Sequence, residues 1–505
     1  MKKLVSCFAV ASLLALGSSA IADLCTIEAT PAATLLLPYF EVDIDNPNGV
    51  DTFFSINNAS AAAAMTHVII WTDLSVEALD FNVYLTGYDV QTVGMGLIIR
   101  DGVLPRTIDA TSVSPVGPYS DAPPGGIDNT VDGYPVCVAL GLPYVNPALD
   151  ADYLAHVQSI LTGGPSDIYN GRCGGLDYGD NIARGYVTVD VTNDCTLRRP
   201  CEDGYFFTNA GGPYTGVGEF DNILWGDWYM IDYANDFAQG DNLVHVEAVD
   251  PLDLVGQDFL NGTFYGRCGW DLDIPTAFDS PWNDLRETLP TTFSTRFYQN
   301  AAFDGGTDLL VWRDSVIQLF LPDYLEIVLG SNYGDLGPEG FNCNIGPLWF
   351  PLSQRQTVTF DEAENPEALC TISPCPEEDI LFPAEAQRVS IPNLDVTPES
   401  GWIYLNLNQG PYAGETGTVS VLSQAWVTSV HSAEGRFSAG LPAIQMDNFC
   451  DNRSITLGPS GPDFPASDNV YNYFTSEYYD GLGAQQERAT DSHPYAAKKA
   501  AKFGN

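Results

Sequence analysis

Lysine is almost missing from this chain. There are five in 505 residues: Lys2 and Lys3 near the start, Lys498, Lys499 and Lys502 near the end, and none between. Against 20 basic residues stand 66 acidic ones, a formal net charge of −46. Nucleic acid and anionic membranes both select a basic footprint, so binding to either is disfavoured. A body of this charge repels itself, and salt screens that over about 10 Å at 0.1 M and about 3 Å at 1 M. The composition suits a protein kept soluble by carboxylates in a saline setting.

Other absences narrow the chemistry. Beyond the N-terminus no run reaches the ~18 apolar residues of a membrane-spanning helix. There is no C-x-x-C pair and there are only five histidines, which excludes haem attachment and Cys/His zinc sites. No G-x-S-x-G elbow, phosphate loop or dinucleotide fingerprint occurs. His67 and His245 alternate inside apolar runs and His431 follows one, so nothing points to a Ser-His-Asp triad.

What is present begins with a secretory signal over residues 1–22. Lys2 and Lys3 precede a short apolar core, and Ala20-Ile21-Ala22 is a small-x-small cleavage site. The "LVSC" box at Leu4–Cys7 stands before the core rather than after it, which argues against lipidation. The expected location is the exterior, the cell surface or the periplasm. The signal looks bacterial, so the sequons at Asn58, Asn261 and Asn452 are incidental. Ten cysteines follow it: Cys25, Cys137, Cys173, Cys195, Cys201, Cys268, Cys343, Cys370, Cys375 and Cys450. An even number in an exported chain predicts disulfides, with Cys195–Cys201 and Cys370–Cys375 the favoured local bridges.

The texture is all-β. Short runs such as "THVIIWTD", "GYVTVDVTN" and "VSVLSQAWVTSV" are rich in β-branched and aromatic residues and are divided by Asn, Asp, Gly and Pro. They predict tandem or merged antiparallel β-sandwiches with one short helix and long disulfide-stapled loops. The cysteines and the tail argue against an outer-membrane barrel. The helix is expected near 147–161, capped by Asn146, started by Pro147 and ended by Gly163, with His156 at the surface beside an apolar stripe. Pro/Gly-rich stretches suggest an N-terminal sandwich over 23–130, a central β-rich domain over 131–345 and a C-terminal sandwich over 346–480. A disordered basic tail is expected over 481–505, held no more than transiently by the acidic body. "YNGRCGG" at Tyr169 and "FYGRCGW" at Phe264 echo each other, which would put Cys173 and Cys268 in like places or in one bond.

Carboxylates are the one abundant reactive group. In "DNILWGDWYMIDY" a strand would put Trp225 and Asp227 on one face and Trp228 and Asp232 on the other. In "LVHVEAV" His245 and Glu247 share a face. Aromatics beside carboxylates suit a sugar site, with Trp225, Trp228 and His245 as binding residues and Asp227, Asp232 and Glu247 as the acids of a hydrolase. The loop "EVDIDNPNGVD" offers Asp43, Asp45 and Asp51 to calcium, but Pro47 and Gly49 break the EF-hand spacing, so a hairpin loop shaped by its Asx residues is preferred. A structural or adhesion-like binding role, with a glycan or cell-surface partner, is expected ahead of enzymatic activity.

Overall fold

The structure, a computed structural model, describes residues 30–105, 149–200 apart from Cys195, most of 202–248, Phe264 and Tyr265, most of 286–314, 340–344 and, with breaks, 352–446. In chain order the first strands are β1 (Thr34–Asp43), β2 (Val50–Asn58), β3 (Ala64–Thr72), β4 (Glu77–Leu85), β5 (Val90–Gly94), β6 (Pro165–Ser166), β7 (Arg172–Cys173) and β8 (Ile182–Thr192). There follow β9 (Phe207–Thr208), β10 (Gly212–Pro213), β11 (Leu224–Trp225), β12 (Asp227–Asp232), β13 (Phe237–Asn242), β14 (Val244–Val246), β15 (Thr292–Tyr298) and β16 (Gly306–Arg313). The last are β17 (Gln356–Asp361), β18 (Pro366–Ala368), β19 (Ala386–Ser390), β20 (Ser400–Asn406), β21 (Tyr412–Gly414), β22 (Gly417–Val419), β23 (Ala425–Ala433), β24 (Phe437–Pro442) and β25 (Ile444–Gln445). Among the described residues two α-helices, α1 (Met95–Ile99) and α2 (Ala151–Leu161), interrupt them.

The fold is all-β and antiparallel, and the described residues form four main sheets and three two-stranded ribbons. Sheet 1 centres on β2, with β5 on one side and β11 and β12 on the other, and β13 closes it. Sheet 2 runs β14-β1-β8-β3-β4, sheet 3 runs β19-β16-β23-β24, and sheet 4 runs β18-β17-β20-β15-β25. Pairing joins distant segments: β14 edges β1, with Leu36 opposite Val244.

Alternation sorts the core. Leu35, Leu37, Val187, Val189, Val68 and Ile70 make one apolar face of sheet 2, in one cluster with Phe54, Ile56 and Met230 of sheet 1. In sheet 3, strand β16 is buried on both faces. Leu310 and Trp312 join that first cluster, while Leu309 and Val311 join Phe293, Phe297, Ile403 and Leu405 of sheet 4. Each of these side chains adds roughly 1.5–3 kcal/mol on burial, so sheets 1 and 2 form one sandwich and sheets 3 and 4 a second, merged through sheet 3.

Three expectations change. Helix α2 begins at Ala151, capped by Asp150, whose carboxylate accepts the Tyr153 backbone N–H at 2.8 Å. Asn146 and Pro147 lie outside the described residues. Gly163 stands just past the helix at φ +81°, as a terminating glycine should. His156 is not at the surface. It is 3% exposed, its Nδ1 is hydrogen-bonded with Ser166 Oγ at 2.5 Å and it packs edge-on to Tyr169; burial lowers its pKa to about 4. Cys173 is bonded to Cys343 rather than to Cys268, joining positions 170 residues apart. The other eight cysteines, both favoured local bridges and the basic tail lie outside the described residues.

Candidate functional site

The outward face of sheet 1 carries three exposed large apolar side chains, Val90, Trp225 and Tyr229. Along β11 and β12 the even positions Leu224, Trp228 and Met230 face the core, and Trp228 is 1% exposed. The odd positions Trp225, Asp227 and Tyr229 face out, with Trp225 43% and Tyr229 52% exposed. Strand register carries this face across the sheet in three rows. Val90, Asn57 and Trp225 form the first. Thr92, Ser55, Asp227 and Asn242 form the second. Gly94, Phe53, Tyr229 and Gly240 form the third. In a chain of net charge −46, these rows hold one charged side chain, Asp227.

The third row explains the shape. A Cβ placed on Gly240 would meet the Tyr229 ring at 2.8 and 3.3 Å, and one on Gly94 would meet the Phe53 ring at 3.3 and 3.4 Å. Tyr229 therefore leans over Gly240 and Phe53 over Gly94. Both rings rest on the sheet because the residues beneath them lack side chains.

Between the rings runs a hydrogen-bond relay. Asn57 Nδ2 donates to Ser55 Oγ at 2.9 Å and to the Trp225 carbonyl at 3.0 Å. Ser55 Oγ donates to Asp227 Oδ1 at 2.5 Å, and Tyr229 OH donates to Asp227 Oδ2 at 3.3 Å. The Asp227 charge raises the pKa of the Tyr229 phenol. Asp227 is fixed in place and still partly open to solvent, with lone pairs left for an incoming hydroxyl.

The remaining sequence candidates lie elsewhere. Asp232 ends β12, where its carboxylate accepts the N–H groups of Ala234 and Asn235 and the Asn235 amide. Glu247 is buried and accepts from Thr30 Oγ1 at 2.9 Å. His245 is buried too: Nδ1 donates to the Thr30 carbonyl at 2.9 Å and Nε2 accepts the Gly226 N–H at 3.2 Å, so both nitrogens serve the fold. Burial lowers its pKa.

The three acids of the 43–51 loop also go separate ways. Asp43 Oδ1 accepts the N–H groups of Asp45 and Asn46, which is the Asx turn. Asp45 accepts from Asn181, and Asp51 meets Gly96 N–H and Arg100. Among the described residues no group of three or more His, Cys, Asp or Glu side chains is placed to hold a metal ion, and no helix is long and apolar enough to cross a membrane.

Sequence reasoning missed Phe53, Ser55, Asn57 and Tyr229. The alternation Trp225-x-Asp227-x-Tyr229 carried a signal for the last. The others arrive by pairing with β2, which nothing near residue 227 announces.

Comparison with known proteins assigns no family: no family model and no curated protein matches the chain. Among solved structures it is similar to an α-L-rhamnosidase of Streptomyces avermitilis complexed with L-rhamnose, at 9% identity and TM-score 0.14, over 83% of this chain and 27% of that one. The chain spans about a quarter of that enzyme's length, and at this TM-score the likeness defines neither a fold nor a site.

Proposed function

We propose that this is an exported β-sandwich protein that binds glycans on the outward face of sheet 1, without cleaving them. The observation that carries the reading is the pair of rings, Tyr229 and Phe53, laid over Gly240 and Gly94 beside Asp227 and Trp225. A sugar ring offers axial C–H groups to a flat aromatic face and hydroxyls to a fixed carboxylate, and this face supplies both. Exposed aromatics grouped on one surface mark a recognition site rather than a solvated wall.

Binding is favoured over hydrolysis because the carboxylates are dispersed. Glycosidases hold two carboxyls ~5 Å or ~6.5–9.5 Å apart. Asp227 and Asp232 are five residues apart on one strand, roughly 17 Å by strand geometry, and Glu247 is buried just past the end of β14, at the edge of the neighbouring sheet.

The test is a glycan array with a parallel assay for released reducing sugar, on the wild type and a Trp225→Ala/Tyr229→Ala double variant. Binding by the wild type, its loss in the variant and no sugar release are expected. Equal binding by both proteins would remove the face from consideration, and sugar release would restore the hydrolase.

A further inference from the structure

We infer that the occupant of this face is an extended, uncharged polysaccharide chain, not a short or an acidic sugar. This rests on reading the sheet 1 face as a glycan surface and adds the chemical class. Three observations carry it.

The first is shape. A site for a small sugar closes around its ligand in a cleft. Here the aromatic rings rest on a sheet face, with glycine rather than a wall beside Phe53 and Tyr229. A flat face gains affinity only by touching several units of a polymer at once.

The second is spacing. Trp225 and Tyr229 lie four residues apart on the same face of neighbouring strand segments, about 13 Å along the strand direction. One sugar ring cannot stack on both. A linear chain can, with its middle units over Asp227 and Ser55.

The third is charge. The three rows carry Asp227 and no cation, inside a body of −46. A polyuronate or sulfated glycan would meet the Asp227 carboxylate in these rows, and the guanidinium of the adjoining row, Arg100, is already paired with Asp51 at 3.2 Å. A neutral chain meets a hydroxyl acceptor and apolar rings.

The test is sedimentation of the full chain with insoluble cellulose and chitin as neutral polymers, and affinity electrophoresis in polygalacturonate and heparin as anionic ones. Cellobiose and chitobiose serve as competitors. Binding to a neutral polymer is expected, unchanged between 0.1 and 1 M NaCl, weakened about tenfold in Tyr229→Ala and kept in Tyr229→Phe, which retains the ring. Disaccharides should compete poorly. Preference for an anionic polymer overturns the inference, as does competition by a disaccharide at the polymer's own affinity per sugar. Either result leaves the glycan-binding reading standing. If neither the polymers nor the array show binding, the inference and that reading fall together.

Discussion

Two parts of this molecule are built from the same materials. On the buried face of sheet 2, Asp190 accepts from Thr34 Oγ1, from Tyr205 OH at 2.6 Å and from Tyr265 OH at 3.0 Å, and Arg286 Nε stands 3.6 Å away. The Arg286 guanidinium lies over the rings of Phe206 at 4.5 Å and Phe220 at 5.6 Å. On the outward face of sheet 1, Asp227 meets one serine, one tyrosine and open solvent. Both are carboxylates among aromatics. Around Asp190 every direction is filled by the chain itself, so the group works as a clamp tying the 205, 265 and 286 segments to the sheet. Around Asp227 the chain leaves one side unfilled. Saturation by neighbours, not residue type, separates a structural cluster from a recognition surface.

The largest effect tests the clamp. Arg286 and Asp190 are both fully buried. Removing one partner of a buried pair strands the other charge, at about 3–5 kcal/mol. Asp190→Ala should therefore lower the midpoint of guanidinium unfolding severely or prevent folding. Replacing the pair together, as Asp190→Leu/Arg286→Met, should cost less than Asp190→Ala alone. A double variant worse than the single one would mean that Asp190 serves mainly the tyrosines.

The next effect is on pH dependence, and it comes from two other carboxyls of the first sandwich. Asp73 is buried, accepting from Leu176 N–H and Tyr178 OH, and burial pushes its pKa up to about 7. Burial, with the neighbouring Asp80 charge, pushes Glu77 up to about 8. A carboxyl whose folded pKa lies above its unfolded value holds its proton longer when folded. Its contribution is then greatest at low pH and is lost as pH rises from about 4 through 7. The shift of Asp73 bounds the loss at about 4 kcal/mol. In 1 M NaCl, which screens the general repulsion, these carboxyls favour pH 5 over pH 8 while buried His156, with its lowered pKa, favours the reverse, so Asp73→Asn should tilt the pH 5–8 slope toward greater stability at high pH. An unchanged slope in the variant would assign it to other groups.

The fold class was legible because alternation and β-branched runs are local properties. "GYVTVDVTN" falls in β8 except for its last residue, Asn193, and "THVIIWTD" spans most of β3. Partners were not legible: β14 reaches back to β1 and β13 lies beside β24, where Ser438 Oγ donates to the Ala238 carbonyl. Pairing over such separations is decided by which faces can be buried together, and no single segment records that. The same limit divides the site. Trp225 and Asp227 stood out as neighbours in a strand, whereas Phe53, Ser55 and the supporting glycines come from β2, β5 and β13. His156 was misplaced because its burial depends on Tyr169 and Ser166, beyond the end of its own helix. Nothing marked Asp190 among 66 acids.

The smallest expected effect bears on the comparison most directly. A ring lying over a strand glycine has a purely structural explanation, since aromatics shield the exposed backbone of glycines in sheets. If that were the whole role of Tyr229, Tyr229→Ala would uncover Gly240 and cost stability, as any cross-strand packing pair does, up to about 1 kcal/mol. Tyr229 is over half exposed, however, so most of its surface covers nothing in this chain. We expect Tyr229→Ala and Asp227→Asn each to change the unfolding free energy by no more than about 0.5 kcal/mol, the usual range for surface positions. Asn at 227 can still accept from Ser55 Oγ, so the relay should survive the loss of charge. Binding to a neutral polymer should fall in Tyr229→Ala and change far less in Asp227→Asn, because the rings supply contact area and the carboxylate only orients hydroxyls. Equilibrium unfolding and polymer binding on the same preparations decide it. A stability loss of 2 kcal/mol or more in Tyr229→Ala, with binding unaltered, would make this ring a second clamp, and the contrast between the two regions would collapse.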